Sequence, residues 1–354
     1  MGLGKTMIYL DNAATSKIRQ EVLNVLIDSL TNDWPNASTL YQSGLTVREK
    51  VEQARQKVAD ILKVKSSEII FTSSASESNA TAINYFDKCY CSKYNHKDIK
   101  LNDKSILIDE DFIYENQGDN DIFAWPVAES ETGMILDLTD KIKIVHDKGA
   151  KVLLDATQAI GKSFIYPYEL GADYVSFGLH KINGPRVGVL FVKEGAPFKT
   201  LIYGAQEDGR RGSTENSAYI IAGAVALDLA YKEISDKILH GAILKSVAKA
   251  KLESSGIEYR INEGLNNLTT TFNFSLKNIE SEIMQAMLSD KGICIGIGSA
   301  CNDGSMSVSD ALSTMGVEEE FIRGPIRLSF SLENTKEEVE YAMDEIIDIY
   351  KSLL

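Results

Sequence analysis

Between residues 19 and 235, short apolar runs rich in β-branched and aromatic residues alternate with longer segments of helical periodicity. No other feature of the chain narrows its fold as much. The apolar runs fall at 68–72, 105–109, 122–127, 151–155, 173–177 and 188–192, and segments such as 46–62 and 138–149 repeat apolar residues three and four apart. Strand–helix alternation of this kind predicts an α/β fold, a mostly parallel sheet with helices on both faces. After the apolar stretch 217–234 the pattern changes. Strands are expected at 267–276, 292–298 and 325–332 and helices at 279–290 and 335–353, which reads as a smaller α+β domain. The expected division is a large domain over 18–235 and a small one made of 1–17 and 236–354.

Charge and cysteine usage exclude several classes of function. The net charge of −14 argues against a nucleic-acid or anionic-membrane surface. No run approaches the roughly 18 apolar residues of a membrane helix. The opening "MGLGKTMIYLDNAATS" has neither the apolar core nor the cleavage site of a secretory signal, so a cytoplasmic location is expected. Its GLGKT is too short for a phosphate loop. The four cysteines, Cys89, Cys91, Cys294 and Cys301, are too few for a disulfide framework. Cys89 and Cys91 form a lone C-x-C, read as surface thiols, and two ligands do not make a zinc site.

In open α/β sheets ligands bind beyond the carboxyl ends of the strands. Three of those ends are polar here. "TSSASES" follows the run at 68–72, Asp155-Ala-Thr-Gln158 closes the run at 151–155, and Gly-Leu-His-Lys181 follows the run at 173–177. A serine-rich turn entering a helix offers backbone amides and the Ser76 hydroxyl to a phosphate. The same residues also form a capping box, Ser74-x-x-Glu77, that needs no ligand. A carboxylate ending an apolar run is costly to bury without a cationic or protonated partner, although Asp155 also suits a helix N-cap. Most lysines lie on the surface, but a desolvated one near such a carboxylate becomes an amine able to form a Schiff base. A phosphate nest, an Asp for a pyridinium nitrogen and a Schiff-base lysine are together what pyridoxal phosphate requires.

Eight segments in order carry a further resemblance: "YLDNAATS" (9–16), "NASTLYQSG" (36–44), "IIFTSSASESNATAI" (69–83), "VLLDATQAIGK" (152–162), "SFGLHKINGP" (176–185), "GRRGSTEN" (209–216), "GSAC" (298–301) and "IRLSFSLENTKEEVE" (326–340). Together they resemble the cysteine desulfurases, fold-type I pyridoxal-phosphate enzymes of the class V aminotransferase superfamily. The resemblance runs over nearly the whole chain. It implies that Lys181 carries pyridoxal 5'-phosphate, with His180 beside it near the phosphate. Asp155 is implied to pair with the pyridine nitrogen and Gln158 to bond the phenolic oxygen. Ala75 and Ser76 are implied phosphate ligands, with Thr214 reaching across from the second subunit of a homodimer. Arg327 is implied to clamp the substrate carboxylate, which suits its planar fork. Cys301 is implied to attack the sulfur of L-cysteine as a thiolate, keeping it as a persulfide and releasing alanine. A sulfur-acceptor protein is a further implied partner. Cys294, inside an apolar strand, is read as a structural thiol. Two alternatives stay open: another class V aminotransferase or lyase with a different amino acid as substrate, and a catalytically decayed dimeric scaffold or sulfur-carrier-binding protein.

The chain departs from the family at four places. Gly178 stands where a phosphate-binding serine is expected three residues before the lysine. Asn-Asn-Glu-x-Gly appears as Glu129-Ser130-Glu131-Thr132-Gly133, and a carboxylate at 129 is expected to repel the substrate's own. The stretch "DEDFIYENQ" (109–117) lacks the histidine that stacks on the cofactor ring, leaving Phe112 or Tyr114 to take its place. The connection from there to the strand at 122–127 is also shorter than the family's.

Overall fold

The computed structural model describes residues 7–109, 112, 118, 120–298 and 308–354. The chain opens with β1 (Ile8–Leu10), α1 (Gln20–Asn32), α2 (Gln42–Leu62), β2 (Ile69–Thr72) and α3 (Ala75–Ile83). It continues through β3 (Lys88–Ser92), α4 (Lys97–Lys100), β4 (Ser105–Ile108), β5 (Asp121–Pro126), α5 (Thr139–Asp147) and β6 (Lys151–Asp155). Next come β7 (Tyr174–Gly178), β8 (Gly188–Val192), α6 (Ser217–Lys232) and α7 (Ile234–Ser255). The rest is β9 (Tyr259–Ile261), β10 (Thr271–Leu276), α8 (Ser281–Asp290), β11 (Ile293–Ile297), α9 (Asp310–Thr314), β12 (Pro325–Ser329) and α10 (Lys336–Leu353). None of the described helices is long and apolar enough to cross a membrane.

The chain divides into two compact units. The larger holds Ser16–Ala128 and Leu136–Ile234; the smaller holds the segment up to Thr15, Glu129–Ile135 and Ser235–Leu354. The continuous large domain expected over 18–235 is therefore interrupted. Its excursion is held by hydrogen bonds within the smaller unit: Ile135 donates to the Asn266 carbonyl at 2.8 Å, Leu268 to that of Gly133 at 2.8 Å, and the Asn273 amide to that of Glu131 at 2.9 Å.

The larger unit carries a seven-stranded sheet in the order β2-β8-β7-β6-β5-β3-β4. All its strands run parallel except β8, which is antiparallel to both neighbours. The α/β expectation is met, and one strand the sequence reading left out is central to it. β3 contains Cys89 and Cys91, which are fully buried in the apolar core rather than on the surface. The physical reason is that parallel strands are covered on both faces, so they bury small apolar side chains such as thiols without needing alternation. Burial pushes both thiols' pKa values up, which keeps them unreactive.

Two local devices shape the functional edge of this sheet. At Gly188, paired with Thr72, an added Cβ would lie 2.3 Å from the Ser74 backbone, so only glycine lets the serine-rich turn cross the start of β8. The second device is a buried ion pair. The Arg55 guanidinium of α2 meets the Glu207 carboxylate through two contacts of 2.6 and 3.1 Å, and Glu207 also accepts the Phe71 amide at 3.2 Å. Glu207 and Asp208 take left-handed backbone angles, φ 51° and 56°, so this pair fixes a strained turn against the end of β2.

The smaller unit has a five-stranded sheet, β1-β11-β12-β10-β9, with only the β1–β11 pair parallel. Its core joins Phe272 and Phe274 of β10 and Ile326 and Leu328 of β12 to Leu244 of α7, Met284 of α8 and Ile346 of α10. The apolar stripe of α10 begins after a complete capping box, Thr335 with Glu338.

Candidate active site

In the larger unit the functional groups gather at the carboxyl ends of β2, β3, β6 and β7. Asp155, the last residue of β6, is buried; its carboxylate accepts the Thr157 amide at 2.9 Å and the Asn79 side-chain amide at 3.3 Å. Burial above all, and then the charge of Asp98, raises its pKa. A buried carboxylate whose charge is this poorly compensated is suited to a protonated ring nitrogen, the group pyridoxal phosphate presents.

Asn79 is the hub of this cluster. Its amide donates to Asp155 and also to Asp98 at 3.3 Å, while its carbonyl accepts from the Ser176 hydroxyl of β7. Asp98 further accepts the Ser76 hydroxyl, and one of its oxygens lies 2.9 Å from Nδ1 of His96. Burial alone would raise the Asp98 carboxyl, but the bonds from His96, Ser76 and Asn79 outweigh it and hold the pKa below the usual range.

Lys181 ends the single turn Leu179–Lys181 that follows β7. Its charge acts on both His96 and His180, which places it in the same neighbourhood as Asp155, since the Asp155 charge also acts on His96. His180 is pushed down to about 4 by burial first, then by Lys181, Arg186 and Lys162, so its ring is neutral near pH 7. Gln158 is buried and accepts from Lys162 at 3.4 Å.

Ala75 opens α3. The cap residue Ser74 accepts the Glu77 amide at 3.2 Å, and Glu77 accepts the Ser73 amide at 2.8 Å. This cap does not exclude an anion. The amides of Ala75 and Ser76 start the helix with no carbonyl behind them in it, and Arg211, 2.8 Å from Glu77, offsets the one carboxylate at the helix start. Thr214 is exposed and lines a cavity of about 240 Å³ with Ser73, Arg186 and Arg211.

The smaller unit carries Arg327, buried in β12. Nη1 donates to the Ser130 carbonyl at 2.8 Å and Nη2 to Asp11 at 2.5 Å, while Nε is buried without a hydrogen-bond partner. Gly296 of β11 sits opposite Arg327, where a Cβ would lie 2.6 Å from Nε. Only glycine lets the guanidinium lie across that neighbouring strand.

Glu129 corrects an expectation. Its carboxylate accepts the amides of Glu131 and Thr132 at 2.8 and 2.7 Å and the hydroxyls of Thr132 and Ser130 at 2.8 and 3.2 Å. Four donors of its own turn consume its lone pairs, so it closes the 129–133 turn and is not an unpaired charge facing a substrate.

Phe112 and Tyr114 are the residues expected at the cofactor ring. Phe112 is stacked on Tyr90, with centroids 5.7 Å apart, and Tyr114 lies outside the described residues. A histidine does lie in the Asp155 neighbourhood: His96, four residues after β3, feels the charges of both Asp155 and Lys181. The expectation of a ring-stacking residue after β4, an edge strand, passes over β3 and the residues that follow it. The stretch "KCYCSKYNH" marks that strand end only weakly, by a histidine in the polar turn that follows a short run. Asn79 and Asp98 were also missed, since a lone Asn on a helix and a lone Asp in a polar turn carry no pattern of their own. Cys301 lies outside the described residues; Cys294 sits in β11, and burial followed by the Asp11 charge raises its pKa.

The chain is similar to known proteins over nearly its whole length. The family model for class-V aminotransferases matches residues 8–103 and 89–342. A cysteine desulfurase of Dictyoglomus turgidum is 30% identical over 99% of this chain and 96% of its own length, and one of Clostridium botulinum is 30% identical over 97% and 94%. The solved structure of a NifS-like protein superposes with a TM-score of 0.88 at 29% identity, covering 99% of this chain and 100% of the other. A NifS-like protein from Rickettsia africae gives 0.88 at 25% identity, covering 98% and 100%. The chain belongs to the class-V aminotransferase family, whose members are pyridoxal-phosphate-dependent enzymes. Within that family it is of the cysteine desulfurase type.

Proposed function

We propose that the protein takes L-cysteine as its substrate, moves the sulfur to Cys301 and releases L-alanine. One observation carries this reading: a buried, poorly compensated Asp155 at the end of β6 in one neighbourhood with Lys181 and His96. Lys181 would hold the cofactor covalently through its amine, Asp155 would take the ring nitrogen, Gln158 the phenolic oxygen, and Ala75 and Ser76 the phosphate. His96 would face the ring, and His180, neutral near pH 7, would add no charge beside the phosphate. Bound pyridoxal phosphate supplies the electron sink that loosens bonds at the substrate's α-carbon. The remaining work belongs to this chain's side chains. Arg327 receives the substrate carboxylate, its fork already oriented by Ser130 and Asp11. The Cys301 thiolate bonds to the substrate sulfur as the carbon–sulfur bond breaks. The electron pair left on carbon takes a proton, which gives alanine and a persulfide, and a sulfur-acceptor protein then removes the outer sulfur.

Two further features belong to the same proposal. Trp34, Leu40, Tyr41, Leu201, Ile202 and Tyr203 are large apolar side chains left exposed in the larger unit, Leu40 at 85% and Tyr203 at 79%. They support a homodimer in which Thr214 completes the partner's phosphate site. A sulfur-carrying thiol alongside the free thiols Cys89, Cys91 and Cys294 fits a reducing compartment, the cytoplasm. A substrate panel tests the function. Alanine and sulfide from L-cysteine support it, whereas amino-group transfer to a keto acid, or turnover of another amino acid alone, favours a different class-V activity.

The phosphate site offers a specific prediction. A Cβ at Gly178 would sit 3.3 Å from the His180 ring and 3.7 Å from Ala75, so a serine fits there with a small shift of the ring. Gly178→Ser therefore adds a donor beside the phosphate. A hydrogen bond to a charged group contributes about 1.5–3 kcal/mol, and cofactor affinity is expected to rise by one to two powers of ten. Equilibrium dialysis against pyridoxal phosphate that finds no gain contradicts this placement.

A further inference from the structure

We infer that Asp98 is the positioning residue of His96: its carboxylate takes the Nδ1 proton, fixes the ring's orientation and leaves Nε2–H as the proton donor of the site. The inference rests on the reading of the pocket given above and deepens it. Two contacts compete for Nδ1. One is the Asp98 carboxylate at 2.9 Å, which requires Nδ1 to carry a proton; the other is the Asp98 backbone amide at 3.4 Å, which requires it not to. A charge-assisted contact at 2.9 Å is the stronger of the two, and a carboxylate can only accept. The amide contact is at the limit of a hydrogen bond.

Asp98 is itself built into place. Its side chain is 17% exposed, and Asn79 and Ser76 fix it from α3, so it cannot swing away from the ring without breaking both bonds. The charged groups that act on His96 come from three elements: Asp98 on α4, Asp155 at the end of β6 and Lys181 in the turn after β7. The bond to Asp98 raises the His96 pKa most; the two carboxylate charges add to it and the Lys181 ammonium opposes it. A ring held this way stays protonated to higher pH than an ordinary histidine, and its free nitrogen delivers the proton.

The sign fixes the pH dependence. His96 keeps its proton as pH rises through the ordinary value of about 6.5 and loses it only above that. Removing the Asp98 charge moves this loss to lower pH, because the hydrogen bond to Asp98 is the largest cause of the raised value.

The test needs no cofactor. Nitrogen-15 shifts of the imidazole rings are recorded on the cofactor-free full chain across pH, with the His96 signal assigned from a His96→Gln variant. The expected result is a neutral form protonated at Nδ1 and a midpoint above the ordinary histidine value that falls in Asp98→Asn. A neutral form protonated at Nε2 overturns the inference even in unmodified protein, so an Asp98→Asn variant that fails to fold does not protect it. An unchanged midpoint in a folded Asp98→Asn variant overturns it as well, leaving Asp98 a purely structural residue. With cofactor and L-cysteine, the alkaline limb of kcat/KM is expected to shift by the same amount. If the loaded protein shows no turnover at all, the functional reading fails while the titration still decides the role of Asp98.

Discussion

Lys181→Ala is expected to abolish covalent cofactor attachment and turnover while leaving the fold intact. Lys181 lies in a short turn at the edge of the pocket and is not a core residue, so its removal opens no apolar cavity. The chemical loss is large. Proton transfer by a positioned side chain alone contributes about 10²–10⁴-fold, and the covalent anchor is lost on top of that. Removing this ammonium also lifts a charge that lowers the pKa of both His96 and His180, so both midpoints are expected to rise. Borohydride reduction of the loaded wild-type protein followed by peptide mapping checks the assignment. The label is expected on Lys181, and a label on any other lysine contradicts it.

Glu207→Ala is expected to have the largest effect on stability. The Arg55 and Glu207 side chains are 6% and 2% exposed, and burial pulls the guanidinium's pKa down until Glu207 and Glu52 more than offset it. Truncating Glu207 leaves the buried guanidinium only the exposed Glu52 carboxylate at 3.1 Å and the Ile69 carbonyl at 3.1 Å, and breaking a buried pair in this way costs about 3–5 kcal/mol. The Phe71 amide loses its acceptor in the same step, and the left-handed turn at 207–208 loses what holds it. Replacing both partners by apolar residues, Arg55→Met with Glu207→Leu, is expected to cost less than Glu207→Ala alone. Urea titration reads the difference. A Glu207→Ala variant within about 1 kcal/mol of wild type contradicts the role given to the pair.

The sheet strands with strong β-branched runs were legible in the sequence because burial on both faces leaves near-continuous apolar segments, as in Lys151–Asp155 and Gly188–Val192. β3 was not, because a run of two cysteines, a tyrosine and a lysine has neither alternation nor branching to mark it. That one omission also hid His96, since a site at strand ends can be read only from strands that have been found. Glu129 was misread for a different reason. Its residue type was judged by charge alone, and only the turn geometry shows four donors converging on it. The Lys181 and Asp155 positions were legible because each ends or follows a strand and differs sharply in polarity from the run before it.

The central claim is that sulfur leaves L-cysteine for Cys301 on a pyridoxal-phosphate enzyme. The most direct measurement is a single turnover of L-cysteine by the purified, cofactor-loaded protein. Alanine is quantified, and the peptide containing Cys301 is examined by mass spectrometry after alkylation under non-reducing conditions. The account predicts one alanine per active site, a peptide heavier by one sulfur atom, and neither product in Cys301→Ser although that variant keeps the cofactor's absorption. Alanine formed equally by the wild type and Cys301→Ser, or a cofactor-loaded wild type that forms no alanine, would contradict it.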